Sequence, residues 1–300
     1  MSNINQFTTL NNSPEYLFNK FLKKTEHELQ YFISLVKNGP GSNTILFYPE
    51  YPNKRTIIYK MMNLLKFNIT NNPRHKFDLI INWEDTTFRK RDKILNELSA
   101  QHSILNINCK DISKKYIDSI FERAFGYGLN IDPRKFQGKG VKKSNLNARH
   151  DGIIINCPVE KIEDDFIYQK ILDNHFDDKL VYDIRVPVVK DVVPFVYLKF
   201  KMIEERFTNN ISKSSLEETA KYFSDNEVKK IIMFCYKIGL DYGELDVIRN
   251  KEDNKIYIVD VNNTPWGPPF LLPEKDGKMA IKRLAEVFLE KFVMKQKIHD

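Results

Sequence analysis

Between Gly243 and Pro269 the chain reads GELDVIRNKEDNKIYIVDVNNTPWGPP, and oxygen-bearing side chains recur here at a spacing that could hold a cation. Two strand-like runs, Gly243–Asn250 and Lys255–Asn262, flank the polar turn Lys251–Asn254, which is the signal of a hairpin with a longer loop. Side chains alternate faces along a strand. Leu245 and Val247 then share one face with Tyr257, Val259 and Val261. Glu244, Asp246, Asp260 and Asn262 share the other. A hairpin closing symmetrically about Asp253 sets Asp246 opposite Asp260 and Glu244 opposite Asn262. Like charges directly across a strand pair repel. A hard cation with oxygen ligands removes the conflict, and Mg²⁺ takes one or two carboxylates while leaving positions for water and substrate phosphates. The competing reading is a solvated face with scattered acids, and spacing alone leaves both open.

The elements that would position this hairpin alternate along the chain. Residues 1–13 read as a loosely held lead-in. Ser13-Pro14-Glu15 opens a helix with Ser as cap and Pro at the first position. Its stripe of Leu17, Phe21, Leu29, Phe32 and Leu35 is expected to pack on the neighbouring α/β elements, and Asn38-Gly39-Pro40-Gly41 stops it. Strands at 44–48, 78–83 and 103–108 then alternate with helices at 55–67, 89–100 and 111–125, which indicates a small parallel sheet covered by helices. Glu84 and Asp85 sit past a strand end, where open α/β sheets place ligands; a polar loop with helix-capping acids is the preferred reading. Glycines and Pro133 punctuate 126–140, so a domain boundary is placed there. Short strands at 141–144, 152–156 and 166–172 come after it, and a strand pair spans 181–201. Ser224-Asp225-Asn226-Glu227 is a capping box. It opens a helix with Val228, Ile231, Ile232 and Cys235 on one face, and Gly239 ends it. A final helix over 278–295 buries Ile281, Leu284, Ala285, Phe288 and Phe292.

Composition sets the outer limits. With 42% hydrophobic residues and 21 Phe, the 300-residue chain can fill real cores. No apolar run reaches the length of a membrane span, and the polar start lacks a basic-then-apolar leader, so a cytoplasmic protein is expected. Cys109, Cys157 and Cys235 have no metal or redox spacing and read as reduced core thiols. The net charge of +7 is spread rather than blocked. It suits attraction of ATP and an anionic substrate better than nucleic acid, because the aromatics are not interleaved with Lys and Arg as in a stacking platform. There is no P-loop and no nucleophile elbow.

The acidic hairpin also resembles the metal-binding hairpin of the ATP-grasp superfamily. There, an Asp-bearing strand is followed by a strand ending Glu-x-Asn and then a Thr/Ser-Pro-Gly segment. Here the match is Asp246, then Asp260-Val261-Asn262, then Asn263-Thr264-Pro265-Trp266-Gly267. The departures are Asp260 for Glu and the inserted Trp266. Further pieces are similar in order from Asp111 to Pro269. The helix before the nucleotide lobes carries a Lys in the family, matched by Lys114 or Lys115. The strand at 141–144 is similar to the one whose Lys reaches ATP phosphates, matched by Lys143, with Lys142 its neighbour. Asn147–Gly152, NARHDG, stands where the family has a phosphate-covering loop, and His150 is either a phosphate contact or a plain loop histidine. FIYQKILD resembles the segment that reads the adenine edge, through Gln169, Lys170, Ile171 and Leu172. Asp183-Ile184-Arg185 resembles the Asp-x-Arg strand of ribosomal-protein glutamate ligases, with Lys199 and Lys201 as cations of the next strand. Arg206-Phe207-Thr208-Asn209 resembles the Phe-x-x-Asn loop after that strand.

The resemblance implies an α/β and α+β protein: an N-terminal parallel-sheet lobe over 1–130 on the substrate side, a small nucleotide lobe over 131–175, and a metal- and phosphate-binding lobe over 176–300. It implies ATP and two Mg²⁺ ions, held by Asp246, Asp260 and Asn262, with Glu244 as an outer partner. Lys114, Lys143, His150, Gln169, Lys170, Ile171, Leu172, Asp183 and Lys201 would bind the nucleotide. Arg185, Lys199 and Arg206 would act on the reacting phosphate. The implied activity joins a carboxylate, on a small molecule, glycan or peptide, to an amine through an acyl phosphate, as in ribosomal-protein glutamate ligases and D-alanine–D-alanine ligases. A kinase that stops at phosphoryl transfer is the alternative, and a basic nucleic-acid-binding module the minor one.

Overall fold

The computed structural model describes residues 13–39 and 41–294. The expected lead-in, apart from Ser13, therefore lies outside the described residues, as do Pro40 of the first helix stop and Lys295 of the last helix. Helix α1 spans Pro14–Asn38, and the Ser13 hydroxyl accepts the Tyr16 N–H at 3.1 Å as its cap. The expectation that its apolar stripe packs on the body is wrong. Leu17, Phe21, Leu29 and Phe32 are exposed, and Leu35 is half-buried. The contact is made instead by Tyr31, stacked on His75 at 4.2 Å, and by His27, stacked on Tyr51 at 4.1 Å. The body offers flat polar rings at this place, so the aromatic side of the helix docks and the aliphatic side is left over.

The first sheet contains β1 (Thr44–Pro49), β2 (Asn68–Thr70), β3 (Leu79–Trp83) and β4 (Ile104–Leu105), all parallel in the order β2-β1-β3-β4. Helices α2 (Ile57–Leu64) and α3 (Lys93–Leu98) connect them, as the alternation predicts. Arg89 is not in α3. Its guanidinium turns back to donate to the carbonyl oxygens of Asn82 and Glu84, so the helix starts later, at the Asp92 cap. Helix α4 (Lys114–Phe125) comes next and stops at Gly126, whose φ of 84° is open to glycine without a steric penalty.

The second sheet is antiparallel, β6-β5-β7, from β5 (Gly138–Ser144), β6 (Ile153–Cys157) and β7 (Phe166–Lys170). The third has five antiparallel strands in the order β10-β9-β8-β11-β12: β8 (Leu180–Val189), β9 (Val196–Met202), β10 (Lys213–Glu217), β11 (Tyr242–Arg249) and β12 (Ile256–Asn262). Between β10 and β11 lie α5 (Thr219–Tyr222) and α6 (Asp225–Ile238). In the predicted capping box the Glu227 carboxylate accepts the Ser224 N–H, and Ser224 Oγ accepts the Glu227 N–H. Helix α7 runs Glu274–Phe288 and starts one turn earlier than expected, with a π-helical turn, Leu289–Met294, after it.

The five-stranded sheet has two dissimilar faces. On one, Ile184, Val186, Leu198, Leu245 and Val247 pack with Ile117 and Phe121 of α4 and Ile231 and Phe234 of α6. Each such side chain removed from water contributes about 1.5–3 kcal/mol. On the other face, Val189, Phe195, Tyr197 and Tyr242 meet Leu284 and Phe288 of α7 at one end. At its other end the same strands carry only charged and amide side chains.

Candidate nucleotide and metal site

The hairpin register places Asp246 opposite Asp260 and Glu244 opposite Asn262, as the sequence spacing predicts. Beyond that pair the ladder slips. Val247 faces Ile258, and Val259 has no partner across the strand. The extra residue is a β-bulge, and past a one-residue shift the side chains change faces. Ile256 and Ile258 therefore join the core, and Val259, expected on the core face, lines a cavity.

That cavity has a volume of about 450 Å³. Asp246, Asp260, Asn262 and Glu244 line its floor from β11 and β12, with Arg185, Lys199 and Lys201 beside them from β8 and β9. Lys114 enters from the start of α4, and Lys143 from β5. Arg185 grips Asp246 with two hydrogen bonds, from Nε at 3.0 Å and Nη2 at 3.2 Å, and Lys199 Nζ donates to the same carboxylate at 2.8 Å. Burial alone would push the Asp246 carboxyl up, but the two cations hold it far below the usual carboxylate range. Burial likewise works against charge on Arg185, yet Asp246 and Glu244 keep it firmly protonated. Lys199 differs: burial and the neighbouring Arg185 lower it despite Asp246.

Two acids in the cavity lack such satisfaction. Glu244 is 2% exposed and lies 3.4 Å from Arg185 Nη1, but neither of its oxygens makes a hydrogen bond. Its burial pushes the carboxyl up to about 7. Asp260 Oδ1 is also buried without a hydrogen bond, with Lys114 Nζ 3.9 Å away, and burial raises this carboxyl too. Buried unpartnered oxygens are costly, and a hard cation among oxygen donors would satisfy them. The donor set fits Mg²⁺ in its chemistry. It is not a preformed cage, because among the described residues no three His, Cys, Asp or Glu side chains are gathered around one point. Asp246 is turned to its cations, and Asn262 Oδ1 accepts the Thr264 N–H at 3.0 Å.

A narrower slot of about 120 Å³ opens beside the cavity and shares Lys143, Asp246, Phe207 and Val259 with it. Its walls are Leu129, Val141, Leu172, Ile248 and Val259, with Gln169, Lys170, Asn174, Asp183 and Arg206 at its polar edge. Arg206 donates to the Leu172 carbonyl at 2.9 Å and to Asn174 Oδ1 at 2.7 Å. Asp183 pairs with Lys201 at 3.2 Å. The segment Asn147–Gly152 covers the cavity, with Gly152 pressed against Phe207: a Cβ at position 152 would come within 2.9 Å of that ring. Ala148 and His150 in this segment have φ of 55° and 52°, a region that favours glycine.

The structure brings the sequence-predicted residues together with few exceptions. Lys114, Lys143, His150, Arg185, Lys199, Lys201, Asp246, Asp260 and Asn262 line the cavity; Gln169, Lys170, Leu172, Asp183 and Arg206 line the slot. Ile171 lines neither. Arg206, assigned to the reacting phosphate, stands at the slot and not in the cavity, because the Leu172 carbonyl and Asn174 hold it there. The two open Lys choices resolve by geometry. Lys115 Nζ donates to the Asp164 carbonyl, and Lys142 is taken by Glu163 and lies over the Phe166 ring, so Lys114 and Lys143 remain at the cavity. Burial and the nearby Lys114 lower Lys143 to about 8. His150 reaches the cavity, where burial lowers its pKa.

Some residues of the site escape sequence reasoning or are underweighted by it. Asp85, whose preferred reading is a plain loop acid, borders the cavity and accepts a hydrogen bond from Thr264 Oγ1 at 3.2 Å. Asn147, Arg149 and Trp266 also line it. The slot walls Val141 and Ile248 stand two residues from Lys143 and Asp246, so strand alternation could have found them.

No family model and no curated protein matches the sequence. Solved structures do match the fold. The chain is similar to the VanG D-Ala:D-Ser ligase of Enterococcus faecalis, at 9% identity and a TM-score of 0.54 over 84% of this chain and 99% of that one. It is similar to the ATP-grasp ligase PsnB in complex with a minimal precursor, at 12% identity and 0.53 over 83% and 99%. The D-alanine–D-alanine ligase of Bacillus anthracis aligns at 12% identity and 0.52 over 86% and 99%. Three lobes in this order, with an acidic hairpin and a row of cations around one cleft, give the chain the ATP-grasp fold.

Proposed function

We propose that the chain is an ATP-dependent ligase that joins a carboxylate to an amine. The observation that carries this reading is the two-part cleft: an apolar slot with an amide edge opens directly into a cavity where cations face carboxylates. That is the shape and charge of a purine nucleoside triphosphate with its metal. In this reading Gln169 and the main chain from Lys170 to Leu172 orient the base, and Leu129, Val141, Leu172, Ile248 and Val259 exclude water from its faces. Lys114, Lys143 and Lys201 bind phosphate oxygens. Arg185 and Lys199, now spent on Asp246, turn in part to the transferred phosphate as charge develops there. Asp246, Asp260 and Asn262 would hold Mg²⁺, which neutralises phosphate charge when bound. The substrate carboxylate attacks the γ-phosphorus, ADP leaves, and the acyl phosphate formed is opened by an amine with loss of inorganic phosphate. No protein nucleophile is required, and the described cysteines are buried and free.

The exposed Trp266 at the cavity edge and the first-lobe residue Asp85 stand where the acceptor would approach, which supports a substrate site between the first lobe and the hairpin. The test is a screen of carboxylates and amines that reads ADP and phosphate release with Mg²⁺, with the Asp260→Ala/Asn262→Ala variant as blank. Phosphate release that requires the amine supports ligation. A stable phosphorylated product formed without amine assigns the kinase alternative. Equal turnover in the variant and the unmodified protein removes the metal assignment.

A further inference from the structure

Helix α1 carries an apolar seam that the protein itself leaves uncovered. Phe18, Leu22, Thr25, Leu29, Phe32 and Val36 succeed one another at steps of 4, 3, 4, 3 and 4 residues. This is the 3.5-residue period of a coiled-coil seam. All six are exposed, Val36 by 88% and Phe18 by 61%. The seam runs for about 27 Å at 1.5 Å per residue. Only the second half of the helix rests on the body, through His27 and Tyr31 on another side; residues 14–26 are exposed throughout.

The site of the proposed reaction is not involved, and the seam asks for an occupant of its own. A helix that obeys the same 4-3 spacing is the surface that interlocks with it, and the chain supplies one in a second copy, since a two-fold contact is self-complementary. The area agrees. Nine large apolar side chains of α1 are exposed, and at roughly 100 Å² each they offer on the order of 900 Å² per copy, close to the ~800 Å² per partner of a stable interface. A solitary patch of this size is rare on a monomer. The flanks argue against a lipid surface. Glu26 and Glu28 border the seam, and insertion of Leu29 into a bilayer would carry both acids toward it. Lys20, Lys23 and Lys24 point elsewhere on the helix.

We propose that two copies of this chain pair in solution through the α1 seam. Sedimentation velocity and light scattering on the full chain at about 50 μM test this, and the expected species is a dimer. The Leu22→Glu/Leu29→Glu variant should be monomeric, its dissociation constant raised at least about a hundredfold, with an unchanged circular dichroism spectrum because both side chains are already exposed. Thr25→Leu should tighten the dimer by about tenfold, since it replaces the one polar residue of the seam. A monomeric unmodified protein, or a dimer that persists in Leu22→Glu/Leu29→Glu, overturns the proposal. A monomer that cosediments with phosphatidylcholine–phosphatidylserine vesicles through these leucines also overturns it and assigns the seam to lipid. A dimer that disappears on deletion of residues 1–12 but survives Thr25→Glu overturns it in favour of that segment.

Discussion

The two ends of one sheet face make the most instructive comparison in this protein. Strands β8, β9 and β11 contribute to both. At one end Val189, Tyr197 and Tyr242 lie under Leu284 and Phe288 of α7. At the other, Arg185, Lys199, Glu244 and Asp246 face the cleft. Backbone, twist and pleat are common to the two ends, and only the cover differs. A helix seals the first, so apolar contact stabilises it. Open space with loops above it covers the second, so charges persist there in mutual balance. Stability and chemistry are thus divided along the length of the same strands.

Loss of function without loss of fold should be greatest at the charged end. Asp260→Ala/Asn262→Ala is expected to reduce nucleotide turnover by about a thousandfold, worth ~4 kcal/mol in the transition state, while its thermal unfolding stays within a few degrees of the unmodified protein. The reverse holds at the sealed end. Phe288→Ala should destabilise by about 3 kcal/mol through the cavity it leaves, read by urea unfolding, with little change in nucleotide KM below the transition. If each variant damages both properties equally, the division does not exist.

Lys143 sharpens the picture through pH. Its cation is lost through about pH 8, so nucleotide KM should rise between pH 7 and 9.5. Lys143→Met should raise KM about thirtyfold at pH 7, ~2 kcal/mol of binding, and flatten that rise. Lys143→Arg, which stays charged, should keep a low KM across the range. A steep pH dependence in Lys143→Met would place the titrating group elsewhere.

The smallest effect concerns Glu244. Its native carboxyl, near 7, holds a proton that the unfolded chain has already lost above its ordinary value of 4.5. The folded state therefore binds more protons across this window, and the contribution to stability falls as pH rises from about 4.5 to 7. Glu244→Gln removes the decline. It should match the unmodified protein near pH 4 and exceed it near pH 7.5 by on the order of 1 kcal/mol, measured by urea titration at both values. Identical pH profiles would show that Arg185 already neutralises the acid.

Much of the fold and the site was legible because charge and alternation coincide. Asp246 and Asp260 announce their pairing through a two-residue period, and the capping box of α6 and the glycine end of α4 mark helix limits chemically. The bulge was not legible: IYIVDV holds no glycine or other mark of an irregular ladder. Strand β10, KSSLE, has no apolar run and exists because β9 offers it an edge. The failure at α1 has another cause. Periodicity shows that a helix has a face to cover, but not what covers it, and here a pair of rings outcompeted the aliphatic stripe. Asp85 was underweighted because only the fold brings it beside Thr264, 179 residues away in sequence.

The irregular step at Val259 sets a ruler. A regular strand would send Val259 and Asp260 to opposite sides, yet here both address the ligand, one at the base slot and the other among the phosphates. Consecutive Cα atoms are separated by about 3.8 Å. The distance between the hydrophobic and ionic grips on a nucleotide is then written into a single peptide unit, and it stays constant however far the lobes around it swing apart.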